Sequence, residues 1–211
     1  MNEIVKRCDY GIDLHTGSDH RYNLPQIRAY LDNDEIKELA QDFGVPVILH
    51  SPLRDGSLRK AASEVGVKII LFEGGEALRY DEKIIKSAEK GAFSILASIG
   101  MLDPAVVKGK IPTKREIYCA GSSHWIRAPH SGSLHIRKPI GSKVKVNEIL
   151  GIISDPFGIE VHYVKAKETG IIIGITMMPL VNNGDALFHI ATFDDPGAVA
   201  DGVADYDEAL G

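Results

Sequence analysis

Residues 11–29, GIDLHTGSDHRYNLPQIRA, set two aspartates, two histidines, two arginines and a proline directly after an apolar run. Two readings compete: a strand end that presents ligands to a metal and a substrate, or a polar loop. The alternation Asp13-Leu14-His15 puts Asp13 and His15 on one face of a strand. A carboxylate in that place can orient and polarise a ligating imidazole. Alone, a histidine near a strand end is more often a hydrogen-bonded structural residue, so the flanking pattern has to decide.

Outward from this stretch, apolar runs at Tyr10–Leu14, Val45–His50 and Val67–Phe72 are short and rich in β-branched residues, as buried parallel strands are. Helical stretches separate them. Asn33-Asp34-Glu35 opens one in capping style that stops at Gly44, Ser57 opens another that stops at Gly66, and a third is expected over Tyr80–Leu96 with a break near Gly91. This alternation predicts an α/β sheet with ligands gathered at the carboxyl ends of its strands, so the polar residues after Leu14, Leu49 and Phe72 converge on one edge.

The pattern changes near residue 115, which predicts an α/β domain over 1–115 and an all-β domain over 116–193. The second part holds a repeat. Ala128-Pro-His-Ser-Gly132, Pro139-Ile-Gly-Ser and Leu150-Gly-Ile-Ile recur as Ala166-Lys-Glu-Thr-Gly170, Pro179-Leu-Val-Asn and Leu187-Phe-His-Ile. Tandem short strands with glycine turns predict a small sandwich, and the pattern resembles the biotinyl/lipoyl hammerhead fold. Carriers of that fold bear a modifiable lysine on the central hairpin, whereas Ser154–Glu160 has none; the expectation is a domain that packs on or lids the first and is compatible with a homo-oligomer. Residues 194–211 are acidic and poor in large apolar residues, and are expected to be disordered or loosely draped.

Composition excludes several classes. A net charge of -5 and a pI near 5.9 argue against a nucleic-acid partner. Cys8 and Cys119 form no metal or disulfide pattern, no run is long and apolar enough for a membrane span, and the N-terminus lacks a signal-like apolar core. A cytoplasmic protein acting on a small molecule is the expectation.

Glu73 follows an apolar strand and precedes Gly74-Gly75, which let backbone or ligand approach closely; this suits a general base, with an ordinary turn acid as the plain alternative. In order, DLHTG with RYNLPQIR, HSPLRDGSLRKAASEVG, FEGGE, WIRAPHSG and PLVNNGDALFHI resemble the succinylglutamate desuccinylase/aspartoacylase family, related to zinc carboxypeptidases, over about residues 8–193. The resemblance implies a zinc-carboxypeptidase-like mixed sheet with helices, truncated here, followed by the small all-β domain. It implies a Zn2+-dependent hydrolase of an acyl-amide bond in an N-acyl amino acid or similar small molecule. By motif, His15 matches the last zinc-ligand histidine and Glu73 the water-activating glutamate, with Asp13 behind His15. Arg21 and Arg28 are candidates for a substrate carboxylate, which a guanidinium clamps through two hydrogen bonds; solvated surface arginines are the competing reading.

One departure is large. The family takes its first two zinc ligands from an H-x-x-E motif well upstream of the D-L-H strand, and none of the eight histidines here has a carboxylate three residues on. The family's arginine motif between those two points is absent as well. The chain is then a fragment of a longer protein, a degenerate member serving as a binding or assembly module, or one that recruits Asp19, His20 or His50 as replacement ligands. The expectation is that the family chemistry is acyl-amide hydrolysis and that this polypeptide alone binds zinc weakly and turns over little.

Overall fold

The computed structural model describes residues 1–105 and 116–211. The domain boundary expected near residue 115 lies outside the described residues. In chain order the elements are β1 (Tyr10–Gly17), β2 (Arg21–Ala29), α1 (Asp34–Asp42), β3 (Val47–His50), α2 (Leu58–Ser63), β4 (Lys68–Glu76) and α3 (Glu82–Ser98), then β5 (Tyr118–Ala120), β6 (Ser122–Arg127), β7 (Gly132–Ile136) and β8 (Lys143–Val144). They continue with β9 (Ile149–Ser154), β10 (Val161–Lys165), β11 (Gly170–Thr176), β12 (Leu180–Val181), β13 (Ala186–Thr192) and α4 (Pro196–Leu210).

The helix starts follow the sequence signals. The Asn33 side chain accepts from the Ile36 amide at 2.9 Å and the Ser57 hydroxyl from the Lys60 amide at 3.2 Å. Gly44 and Gly66, both at φ 83°, end the first two helices in the left-handed conformation that glycine adopts without strain. The expected break at Gly91 does not occur. Helix α3 runs through it, and the glycine makes room for a ring instead: a Cβ there would lie 2.2 Å from Phe43 Cε1.

The carboxyl-terminal segment is a correction. Residues 196–210 form a docked helix, capped by Asp195, whose side chain accepts from the Gly197 and Ala198 amides, with Pro196 in the first turn. Its apolar residues are few but fall on one stripe, Val199, Val203, Tyr206 and Leu210, all buried. The Tyr206 hydroxyl meets Ser87 Oγ on α3 at 2.6 Å. No helix among the described residues is long and apolar enough to cross a membrane.

Residues 11–29 form two strands joined by a short turn. Strand β2 is central: it runs antiparallel to β4 on one side, while on the other its second half pairs parallel with β3 and its first half antiparallel with β11. Pro25, which cannot donate to a ladder, falls where the β2–β4 register shifts between Asn23 and Gln26. With β1 parallel to β4 and β5 parallel to β3, this makes a mixed α/β sheet. Through β11 the sheet continues into β13, β6 and β8, nine strands in all. Helices α1, α3 and α4 enclose a core of Ile27, Phe43, Ile48, Ile70, Phe72 and Leu210.

The repeat appears as topology. Strands β8-β11-β13-β6 of the large sheet face a four-stranded sheet ordered β12-β7-β9-β10. Replacing each strand from β6 to β9 by its counterpart from β10 to β13 turns one order into the other, so the sandwich has an internal two-fold. Leu134, Leu150 and Ile153 meet Ile172, Leu187, Phe188 and Ile190 inside it.

Candidate active site

Strands β1 and β4 run parallel with His15 registered on Glu73, so both side chains arrive at the carboxyl edge together. Asp13, two residues back on the same face, places Oδ1 3.1 Å from His15 Nε2. Glu73 is not a turn residue, because β4 continues to Glu76. A bulge between His15 and Gly17 widens this end of the pair, and Gly17 is required there: a Cβ would lie 2.1 Å from the Arg21 carbonyl oxygen.

His15 and Glu73 line a cleft of about 310 Å3 with Ser18, Arg21, Asn23, Arg28, Ser51, Arg54, Arg59, Leu71 and Trp125. All four residues picked as metal, catalytic or substrate-binding candidates therefore meet in one place, with Asp13 behind His15. Arg28 is already engaged, its Nε donating to Glu73 Oε2. Arg21 donates to Ser18 Oγ at 3.4 Å, and its guanidinium carbon lies 5.1 Å from the Trp125 ring centroid.

Arg54, Arg59, Ser51, Asn23 and Trp125 were not anticipated individually. The first three follow β3, and the strand-end rule had pointed to that segment without choosing residues within it. Arg59 is buried and donates from Nη1 and Nη2 to the Ser51 carbonyl oxygen and hydroxyl at 3.0 and 2.9 Å. Burial, then the neighbouring charges of Arg28 and Arg54, lowers its pKa from the ordinary arginine value. Four guanidiniums thus share a cleft with Glu73 and the Asp13–His15 pair, and the resulting field favours an anionic ligand. Trp125 opens the WIRAPHSG motif of the family resemblance, but nothing in the sequence placed it in this cleft, since it comes from the β sandwich.

The cleft residues can be tested against a zinc centre. Catalytic zinc is held by three protein groups with a fourth position open. His15 is the one imidazole lining the cleft, its Nε2 faces Asp13, and Glu73 is tied to Arg28. His50 Nδ1 accepts from the Leu31 amide at 3.3 Å and His20 Nδ1 lies 3.8 Å from Glu76 Oε1; neither lines the cleft. Among the described residues no three His, Cys, Asp or Glu side chains are placed to hold a metal ion. These residues do not make a zinc centre by themselves.

Residues 1–99 match the model of the succinylglutamate desuccinylase/aspartoacylase catalytic domain. The similarity to that family is carried by the first 99 of the 211 residues. Apo and product-bound structures of the ectoine utilization protein EutE (DoeB) from Ruegeria pomeroyi share the fold, with TM-scores of 0.78 and 0.76 at 17% and 16% identity over 90% of this chain. So does a succinylglutamate desuccinylase/aspartoacylase from Rhodobacter sphaeroides, with a TM-score of 0.76 at 16% identity over 90% of this chain. The chain spans 62%, 60% and 60% of those proteins' lengths. No curated protein sequence matches it significantly.

Proposed function

We propose that the protein is a hydrolase of the succinylglutamate desuccinylase/aspartoacylase type, cleaving the acyl-amide bond of an N-acyl amino acid or a similar small anion. The observation that carries this reading is the meeting of His15 and Glu73, in register at the sheet edge, with four guanidiniums in one cleft. In this reading Glu73 takes a proton from the attacking water and returns it to the leaving nitrogen. Its ion pair with Arg28 fits that role: a substrate carboxylate entering the cleft competes for Arg28 and releases Glu73 to act as a base. Arg21 and Arg59, with Arg54 at the rim, fix the carboxylate and hence the scissile bond relative to Glu73.

Zn2+ is the family's implied cofactor, and one imidazole holds it poorly, so the isolated chain is proposed to bind zinc weakly and to turn over little. Elemental analysis of the purified chain beside His15→Ala tests this. Substoichiometric zinc in the parent is expected; a full equivalent lost on His15→Ala would show that further ligands complete a site here. Any turnover of N-acyl amino acids should fall at least about 100-fold in Glu73→Gln and should vanish with a chelator. Turnover that survives Glu73→Gln would overturn the assignment of the base.

A second reading, a non-catalytic binding or assembly module derived from the family, draws on the β9–β10 hairpin, where Phe157 and Ile159 are more than four-fifths exposed (84% and 81%). A defined oligomer by light scattering that persists in His15→Ala and Glu73→Gln, without turnover in the parent, would favour it.

A further inference from the structure

A single row of residues crosses the sheet from the α/β half into the sandwich. Gly75 on β4 registers with Asn23 on β2, Asn23 with Gly174 on β11, Gly174 with His189 on β13, and His189 with Trp125 on β6. Gly174 leaves a gap in the row, and the neighbouring side chains use it. A Cβ there would lie 2.7 Å from Asn23 Oδ1, 3.2 Å from His189 Cβ and 3.4 Å from Trp125 Cη2. The indole therefore leans across β13 towards β11. It lies flat on the His189 imidazole, with ring centroids 4.7 Å apart and planes 10° apart, and the Arg21 guanidinium sits over it.

This arrangement suits the holding of a cation. His189 is buried with Nδ1 unpartnered among the described residues, and burial lowers its pKa to about 3, so the ring beside the indole is neutral and does not repel Arg21. Arg21 has no carboxylate within ion-pair distance among the described residues; its contacts are Ser18 Oγ and the indole. An aromatic face holds a guanidinium by electrostatic attraction without neutralising it, whereas a carboxylate partner would consume the charge. Trp125 also lines the cleft itself, where Leu71 is the other apolar member.

We propose that Trp125, supplied by the sandwich, is a substrate-positioning residue of the cleft: its indole carries the Arg21 guanidinium at the place where an anionic group of the substrate binds. The role rests on the reading of the cleft as a substrate site. It also gives the sandwich a part in the site beyond packing, through a residue outside the 1–99 match.

The single tryptophan of the chain makes the test direct. Succinate, a small dicarboxylate probe, is titrated into the 211-residue protein while Trp125 emission is followed, and affinity is measured by calorimetry for the parent, Arg21→Gln, Trp125→Phe and Trp125→Ala. The parent is expected to show a saturable emission change that Arg21→Gln loses. Trp125→Ala is expected to weaken binding about tenfold, and Trp125→Phe to restore it to within about threefold, because a phenyl face still attracts the guanidinium. Circular dichroism establishes that each variant is folded. A parent that does not bind succinate, an alanine variant that binds as the parent does, or a phenylalanine variant as weak as alanine would each overturn the proposal. If binding follows the expected order but N-acyl amino acids are not hydrolysed under any metal condition, the hydrolase reading fails and the positioning role stands.

Discussion

The two parts of the nine-stranded sheet are built on opposite plans. In the sandwich every strand has a two-fold counterpart, and key residues recur at matching places: Gly132 with Gly170, Leu150 with Leu187, Ile153 with Ile190. From β1 to β5 nothing repeats, and polar side chains occupy the middle of the sheet. Asn23, Gln26 and Arg28 sit on its central strand and Glu73 on the neighbour. Asn23 and Gln26 are buried, with Asn23 Oδ1 and both polar side-chain atoms of Gln26 unpartnered among the described residues. Such groups cost stability. The difference teaches how one sheet divides its tasks: the repeated part is packing used twice, with His124 Nε2 and His189 Nδ1 as its buried polar atoms unpartnered among the described residues, and the unrepeated part sets Asn23 and Gln26 beside the charged residues of the cleft. Strands β2 and β11 join them.

The strongest way to break this comparison is to damage one part and watch the other. Phe43 is fully buried, stacks on Phe72 with centroids 5.3 Å apart, and fills the space above Gly91. Phe43→Ala is expected to cost about 3–5 kcal/mol. Because β2 pairs with β11, the loss should lower the melting of both parts together. Trp125 emission reports the sandwich, and far-UV circular dichroism reports the helices of the α/β half and α4. Coincident transitions are expected; an unshifted Trp125 transition beside an early helical one would show that the two parts unfold separately.

The two-fold itself can be sharpened at its glycines. A Cβ on Gly132 would lie 2.4 Å from the Ser154 carbonyl oxygen, and one on Gly170 2.3 Å from that of Ala191, the equivalent residue. Backbone blocks both, so no rotamer change gives relief. Gly132→Ala and Gly170→Ala are each expected to lose about 3 kcal/mol, measured by urea unfolding, with the two losses within about 1 kcal/mol of each other. If one position accepts alanine freely, the symmetry is one of strand order and not of packing.

Legibility in the sequence followed the same division. The repeat, the capped helices and strands β1, β3 and β4 could be read because local signals agreed with the tertiary outcome. Strand β2 could not: Pro25 and a run of polar residues describe a loop, and only the bulge opposite β4 and the shared β3–β11 edge make them a central strand. Helix α4 was obscured by its acidic composition, since four well-spaced apolar residues suffice when the sheet receives Val199 and Val203 and the core under α3 receives Tyr206 and Leu210. Within the cleft, His15 and Glu73 stood out because strand ends collect ligands, and their ordered motifs added weight. Trp125 belonged to the WIRAPHSG motif, but its place in the cleft could not be read, because it depends on a register that runs through three other strands and on the missing side chain of Gly174.

His189 lies where the two parts meet, and its titration sharpens the comparison most finely. Burial, then the charge of Arg28 and the neighbouring His124, lowers its pKa from 6.5 to about 3. In the unfolded chain it returns to the ordinary value, so between about 6.5 and 3 the unfolded state holds the extra proton. Stability is full above that window and is lost as pH falls through it, at about 1.4 kcal/mol per unit, which is about 2 kcal/mol by pH 5. His189→Phe keeps a flat ring beside Trp125 and removes this titration. Urea unfolding at about pH 7 and pH 5 should therefore show the parent losing about 2 kcal/mol more than the variant. Equal losses would mean that the folded protein protonates His189 by pH 5. The imidazolium would then share the indole with Arg21, and the seam between the two parts would be a hydrated polar contact instead of the dry stack that carries the guanidinium.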